Sequence, residues 1–340
     1  NDGHNFAKQA LKKGALRLIV SKKLKGIPTK KIMKVNDTFY SLNSLAKITR
    51  DNSSAQIIGI TGSVGKTTLK NLAAFILKNY GKVYHSPYSY NNKFGVPFSL
   101  SNLNKNIKYG VFEIGMDKKG EINNLSKIIK PEIGVITNIS GGHFKNFNTL
   151  KDIAKAKAEI LDNITENGTV ILNKDDKFFD FFSNKAKKNK INVISFSSKK
   201  KADVFLSNIK KINKYYRIKV IVNAKHFYFD VPHSTGNFIS NVLACIAVLN
   251  VLNLNLTKIN KKFKNFTLPS GRGDAKFVKK FKRRFKFIDE SYNANPLSMS
   301  SAIKNMNNYK IKNKSKKIAF LGDMLELGKK SKKLHKELSG

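Results

Sequence analysis

Gln56-Ile57-Ile58-Gly59-Ile60-Thr61-Gly62-Ser63-Val64-Gly65-Lys66-Thr67-Thr68 is the stretch on which the reading of this chain turns. Its first part is an apolar run with the length of a short buried strand. Beyond it Leu69, Leu72, Ala73, Ile76 and Tyr80 recur at helical spacing. Strand, glycine loop, Gly-Lys-Thr and helix form an arrangement suited to a nucleoside triphosphate. Glycines let backbone N–H groups turn onto phosphate oxygens, and the helix start adds positive potential. Lys66 then reaches the β- and γ-phosphates and Thr67 holds Mg²⁺, while Thr61, Gly62, Ser63, Val64, Gly65 and Thr68 complete an ATP loop. The usual spacing rule wants a glycine five residues before Gly65, but position 60 is Ile and the glycines stand at 59 and 62. A glycine turn with no ligand is the bland alternative; the flanking strand and helix favour phosphate.

Outward from the loop, strand and helix patterns alternate. Lys82 to His85, Tyr109 to Ile114, Ile133 to Thr137 and Thr169 to Leu172 read as strands. Glu121 to Ile129 and Leu150 to Ile164 read as helices. The fold class is therefore α/β, with a mostly parallel, doubly wound sheet. In such sheets ligands bind beyond the carboxyl ends of the strands. Thr61, Glu113, Asn138 through His143, and Asn173 all fall at strand ends, as expected of one shared site.

Before the loop the pattern gives a helix around Phe6 to Leu11, strands at Leu16 to Val20 and Lys31 to Val35, and a helix from Thr38 through Ile48. That is too little for an independent domain. Residues 203–231 read as antiparallel strands, a plain β appendage, and Phe238 to Leu252 as a helix. Leu268 to Gly273 has the composition of a linker, with strands at Phe285 to Asp289 and Lys317 to Leu321 beyond it.

The chain has 340 residues, a net charge of +43 and one cysteine, Cys245. It opens on Asn1 and stops at Gly340 inside a helical pattern, so a piece of a longer protein, truncated at both ends, is expected. No leader peptide and no membrane span are expected, and the single cysteine fits a reducing, cytoplasmic setting. The positive charge taken alone suggests nucleic acid. The excess is nearly all Lys spread along the chain, with Arg only at 17, 50, 217, 272, 283 and 284. Specific readers of nucleic acid favour Arg and clustered aromatics, so no specific nucleic acid is expected as a partner.

Three residues outside the loop carry candidate chemistry. Lys157 sits within the apolar stripe Ile153, Ala154, Ile160, Leu161 and Ile164. Its stem packs while its amine snorkels to water, or the amine is held near the site and neutralised by desolvation. A neutral amine takes up CO₂ to give a carbamate, an anionic oxygen ligand for Mg²⁺. The pattern alone favours snorkelling. Glu113 ends a strand and suits Mg²⁺, or is simply solvated. His143, after Gly141-Gly142, is on its own more readily structural than a metal ligand, and no second His or Cys stands at zinc spacing.

Several segments together resemble the Mur ligases. The loop Thr61 to Thr68 is one. Tyr90-Asn91-Asn92-Lys93-Phe94-Gly95-Val96-Pro97, Glu113-Ile114-Gly115-Met116 with Gly120-Glu121-Ile122, and Ala154-Lys155-Ala156-Lys157-Ala158-Glu159-Ile160 are others. The most specific are Asp289-Glu290-Ser291-Tyr292-Asn293-Ala294-Asn295-Pro296 and Gly322-Asp323-Met324-Leu325-Glu326-Leu327-Gly328. They point to the branch that joins D-Ala-D-Ala to UDP-N-acetylmuramoyl-tripeptide in peptidoglycan precursor synthesis. The resemblance runs from Asp2-Gly3-His4 to His335. It implies three parts: a remnant of a UDP-substrate domain at 1–52, an ATP domain at 53–267, and the start of a ligase domain at 268–340. It implies an acyl-phosphate intermediate, ATP, two Mg²⁺ ions and a monomer. It also implies Lys66, Lys157 and His143 as catalytic residues and Thr67, Glu113, His143 and a carbamylated Lys157 around the metals, which reverses the reading of Lys157 and His143 given by pattern alone. Asn173 and Asn241 would lie toward adenosine, Arg272 and Asp289 where two domains close on ATP, Asn91 and Asn92 by the muramoyl-peptide, and Asn293 and Asn295 by the dipeptide. Two departures stand out. Thr235-Gly236-Asn237-Phe238 replaces the family's Gly-x-His-Asn turn, and Asp289-Glu290 replaces two consecutive Asp. Sister ligases of the Mur or folylpolyglutamate type share the loop, but residues 289–296 and 322–328 argue against them. A basic P-loop ATPase acting with nucleic acid is the alternative from another class.

Overall fold

A computed structural model describes residues 2–142, 144–280, 283–309, 311 and 315–338. The first segment is small. Helix α1 (Ala7–Lys12) leads to strands β1 (Leu18–Val20) and β2 (Ile32–Lys34), which pair in parallel. Asp37 opens α2 (Thr38–Asp51), its carboxylate accepting from the Phe39 and Tyr40 amides at 2.6 and 3.0 Å. Leu45 and Ile48 are exposed on this helix, and its buried residues are Ala46 and Arg50. Arg50 fastens the segment to the rest of the chain. Its guanidinium donates to the Ile129 and Lys130 carbonyls at 2.7 and 2.8 Å and to Glu132 Oε1 at 2.5 Å, while Glu132 Oε2 accepts from the Ile57 amide at 2.7 Å.

The central unit is one twisted sheet between two helix layers. In chain order it runs β3 (Gln56–Thr61), α3 (Lys66–Leu77), β4 (Val83–His85), α4 (Gly95–Ser101), β5 (Tyr109–Glu113), α5 (Glu121–Ile129), β6 (Ile133–Ile136) and α6 (Leu150–Lys157). It continues with β7 (Thr169–Asn173), α7 (Phe179–Lys188), β8 (Asn192–Ser197), β9 (Val204–Ile212), β10 (Tyr215–Val222), β11 (Lys225–Val231) and α8 (Gly236–Val251). The sheet order is β11-β10-β9-β8-β7-β6-β3-β5-β4, parallel from β4 to β9 and antiparallel beyond. Strand residues alternate between faces, so Ile58 and Ile60 join the core under α3 and α8, while Ile57 joins the core under α4, α5, α6 and α7. Eleven of the sixteen residues of α8 are buried, as a helix covered on all sides requires.

Three expectations need correction here. The strands of 203–231 are no appendage: β9 pairs with β8, and Ile218, Val220, Val222, Phe229 and Val231 join the core of α3 and α8. The helix from Leu150 stops being α-helical at Lys157 and tightens into a 3₁₀ turn, Ala158–Asp162. Lys317 to Leu321 is not a strand. No described residue pairs with it, and an apolar run without a ladder partner leaves its backbone groups to water; Phe320 is 93% exposed.

After the linker, β12 (Asp274–Lys280) and β13 (Arg283–Asp289) form an antiparallel pair, followed by α9 (Pro296–Asn308) and, near the end, α10 (Ser331–Lys336). Residues 324–330 dock on the central unit. Met324 and Leu327 are buried, Glu326 O accepts from the Lys145 amide at 2.8 Å, and Lys330 Nζ donates to Asn148 O at 2.6 Å. Among the described residues no helix is long and apolar enough to cross a membrane.

Candidate active site

The chain leaves β5 on one side of β3 and re-enters the sheet as β6 on the other. Such a reversal opens a crevice at the carboxyl ends of the strands. The strands bearing Asn173, Asn138, Thr61 and Glu113 at or just past their ends are consecutive in the sheet, β7-β6-β3-β5, so the four expected strand ends do share one edge.

The loop after β3 is held from below by the segment after β6. Asn138 O accepts from the Ser63 amide at 2.9 Å, and Asn138 Oδ1 accepts from the Val64 amide at 3.0 Å. Thr137 Oγ1 donates to Val64 O at 2.7 Å, and Ser63 Oγ accepts from the Ser140 amide at 3.0 Å. Gly62 has φ +138, and a Cβ there would sit 1.9 Å from Thr137 Oγ1, so only glycine fits. Gly65, at φ +90, starts α3 without a side-chain cap, which leaves the first-turn amides open to an anion. Asn241 of α8 lies against Gly65; a Cβ there would meet its Oδ1 at 2.7 Å.

Lys66 Nζ folds back onto Gly62 O at 2.9 Å and Ser63 O at 3.4 Å. Burial and then the Arg272 charge hold its pKa below the usual lysine range, against the pull of Glu113 and Glu326. Lys157 is 1% exposed, and its Nζ donates to the same Gly62 oxygen at 3.0 Å. The snorkelling favoured by pattern alone is therefore overturned. Burial, then the Lys66 charge, pushes its pKa well below the ordinary value.

Thr67 Oγ1 donates to Glu113 Oε2 at 2.7 Å, and Asn91 Nδ2 donates to Glu113 Oε1 at 2.7 Å. A hydroxyl and a carboxylate beside an open helix N-terminus fit Mg²⁺, which takes few protein oxygens and fills its shell with phosphate and water. Thr61 Oγ1 and Ser140 Oγ are buried without a hydrogen-bond partner among the described residues. Thr68 is buried beneath the loop, and Asn173 Nδ2 donates to Thr137 O at 3.1 Å. Arg272 reaches in from the linker, its guanidinium 3.4 Å from Ser89 Oγ and stacked 3.9 Å from the Tyr292 ring.

Other expected residues make local contacts. Asn92 Oδ1 accepts from the Phe94 and Gly95 amides and shapes the turn into α4. Asp289 accepts from the Ser291 amide and hydroxyl, which hold its pKa low. Asn293 accepts from the Ala294 amide, and Asn295 caps α9 through the Ser298 amide. His143 lies outside the described residues. Sequence reasoning missed Ser89 and Lys70. Lys70 is fully buried on α3, and burial brings its pKa down to about 8 against the pull of Glu113. Its sequence signal is weak, a lysine beside Asn71 between Leu69 and Leu72.

Known proteins share this frame. The family profile of the Mur ligase middle domain matches residues 60–249. The UDP-N-acetylmuramoyl-tripeptide–D-alanyl-D-alanine ligase of Rickettsia prowazekii (strain Madrid E) is 32% identical over 338 residues, covering 99% of this chain and 74% of that enzyme. The crystal structure of MurF from Acinetobacter baumannii superposes with a TM-score of 0.87 at 29% identity, covering 99% of this chain and 72% of that one. MurF ligase from Thermotoga maritima, crystallised in complex with ADP, gives a TM-score of 0.82 at 27% identity, covering 99% and 75%.

Proposed function

The chain belongs to the Mur ligase family, and from that premise we propose how its site works. It is an ATP-dependent ligase that joins D-Ala-D-Ala to UDP-N-acetylmuramoyl-tripeptide, as its relatives are named for doing. The observation that carries the reading is the chain of contacts Thr67–Glu113–Asn91, which ties the phosphate loop to the segment we assign to the peptide substrate.

The open first-turn amides of α3, beyond Gly65, and Lys66 hold the triphosphate, Lys66 leaving its loop carbonyls to do so. Mg²⁺, when bound through Thr67 and Glu113 with His143, supplies charge neutralisation at the γ-phosphate. A tripeptide carboxylate oxygen attacks the γ-phosphorus, the bond to ADP breaks, and an acyl phosphate forms. The dipeptide amine then attacks the acyl carbon, and phosphate leaves with the carboxylate oxygen while the amine gives up a proton. Positioning and neutralisation supply most of the acceleration in such transfers. Burial and the Lys66 charge disfavour the ammonium form of Lys157, which suits it to take up CO₂; the carbamate would add an anionic oxygen donor to the metal site.

Asn91 and Asn92 are assigned to the muramoyl-peptide side, Asn173 and Asn241 to the nucleotide, Arg272 and Asp289 to closure on ATP, and Asn293 and Asn295 to the dipeptide. Segments 1–52, 53–267 and 268–340 are assigned as UDP-substrate, ATP and ligase parts. The test is isotopic. With heavy oxygen in the tripeptide carboxylate, one label appears in the released phosphate; phosphate free of label rejects the acyl-phosphate route.

A further inference from the structure

We propose that Lys70 is a positioning residue, clamping residues 86–92 over the phosphate loop so that Ser89, Asn91 and Glu113 keep their places. The inference rests on the ligase reading of the site and adds a residue to it. Lys66 and Lys70 stand one turn apart on α3, but Lys70 has no exposure at all. A charge taken out of water must find partners. Lys70 finds two: its Nζ donates to Tyr88 O and lies 4.0 Å from Glu113 Oε2.

Tyr88 bears the mark of this grip. Its φ is +45, in the left-handed region that a bulky residue enters only when its surroundings enforce it. Tyr88 is 81% exposed, so packing of its side chain is not what enforces it. The carbonyl is turned inward, onto the buried ammonium. On either side of that turn the segment meets the site. Ser86 Oγ accepts from the Glu113 amide at 3.2 Å. Ser89 Oγ lies 3.4 Å from both Thr67 Oγ1 and Arg272 Nη2. Asn91 Nδ2 holds one Glu113 oxygen while Thr67 and Lys70 face the other. Without Lys70 the Tyr88 carbonyl loses its buried partner and the turn relaxes to ordinary backbone. Ser89 then leaves Thr67 and Arg272, and Asn91 leaves Glu113.

The test reads amide hydrogen exchange together with activity. In Lys70→Met, amides of 86–92 exchange at least about 10-fold faster while those of α3 and β5 stay within about 2-fold. ADP affinity without Mg²⁺ stays within about 3-fold, and kcat falls about 30-fold. Adding Tyr88→Asn, which accepts the left-handed backbone readily, recovers at least about 3-fold of kcat. Unchanged exchange at 86–92, exchange rising equally through α3 and β5, or no recovery in the double variant overturns the proposal. Should Lys70→Met not fold, Tyr88→Asn alone decides: slower exchange at 86–92 and a higher Tm support the strained clamp, and faster exchange or a lower Tm overturns it. The labelled-oxygen experiment on the unaltered chain judges the ligase reading separately, and the exchange and ADP measurements need no substrate.

Discussion

Two lysines donating to one carbonyl oxygen give the sharpest expectation. Lys66 and Lys157 reach Gly62 O at 2.9 and 3.0 Å, so their nitrogens lie within about 6 Å of each other. With both charged they repel by about 3 kcal/mol at an effective dielectric near 20. Burial is the larger cost, and with the Lys66 charge it depresses the pKa of Lys157 well below 10.5. The unfolded chain keeps this proton up to about pH 10.5, whereas the folded chain releases it sooner. Between the folded value and 10.5 the unfolded state binds more protons, so stability rises with pH; below the folded value the full cost remains. Lys157→Met keeps the length and removes the charge. The lost hydrogen bond costs about 1–2 kcal/mol, and Gly62 O keeps Lys66, so a net gain of about 1–2 kcal/mol is expected at pH 7. Thermal unfolding in CO₂-free buffer across pH 7–10 should show that gain shrinking as pH rises. Activity should move the other way. Lys157→Ala loses about 10²–10³-fold in kcat, the scale of one preorganised charged group, and short carboxylic acids restore part of it. A Met variant less stable at pH 7 with an unchanged pH slope, or an Ala variant with full activity, refutes this reasoning.

Other perturbations give equally direct outcomes. Gly62→Ala drives a Cβ to 1.9 Å from Thr137 Oγ1 at a φ of +138; calorimetry should show ADP binding weakened by at least about 10-fold, and wild-type affinity would contradict the loop geometry. Thr67→Val removes the hydroxyl that meets Glu113; half-maximal activation should need about 10-fold more Mg²⁺, and an unshifted titration would exclude Thr67 as a ligand. Arg50→Met strips Glu132 and two carbonyls of their donor. Because Glu132 is partly exposed the expected loss is about 2 kcal/mol in denaturant unfolding with kcat unchanged, and an equal fall in kcat would give Arg50 a part in catalysis.

Much of the frame was legible because its signals are local. The apolar run before Gly62 and the helix beyond Lys66 are written within a few residues. Strand ends carrying Thr61, Glu113 and Asn173 could be gathered because parallel α/β sheets put such ends on one edge. What stayed hidden depends on contacts far apart in the chain. The β9–β11 strands look separate until β9 finds β8. Lys317 to Leu321 has strand composition but no partner among the described residues. Lys157 read as a snorkelling residue because its helical stripe does not show that the Gly62 carbonyl waits 95 positions away. Lys70 escaped for the same reason, its partner being the inward-turned carbonyl of Tyr88.

The central claim is that this edge of the sheet uses ATP to energise a carboxyl group for an incoming amine. It is tested most directly by ADP release from the chain with each substrate offered alone and together. The account predicts steady release only when UDP-N-acetylmuramoyl-tripeptide and D-Ala-D-Ala are both present, with one amide formed per ADP. Release stimulated by DNA or RNA and indifferent to that pair would contradict it.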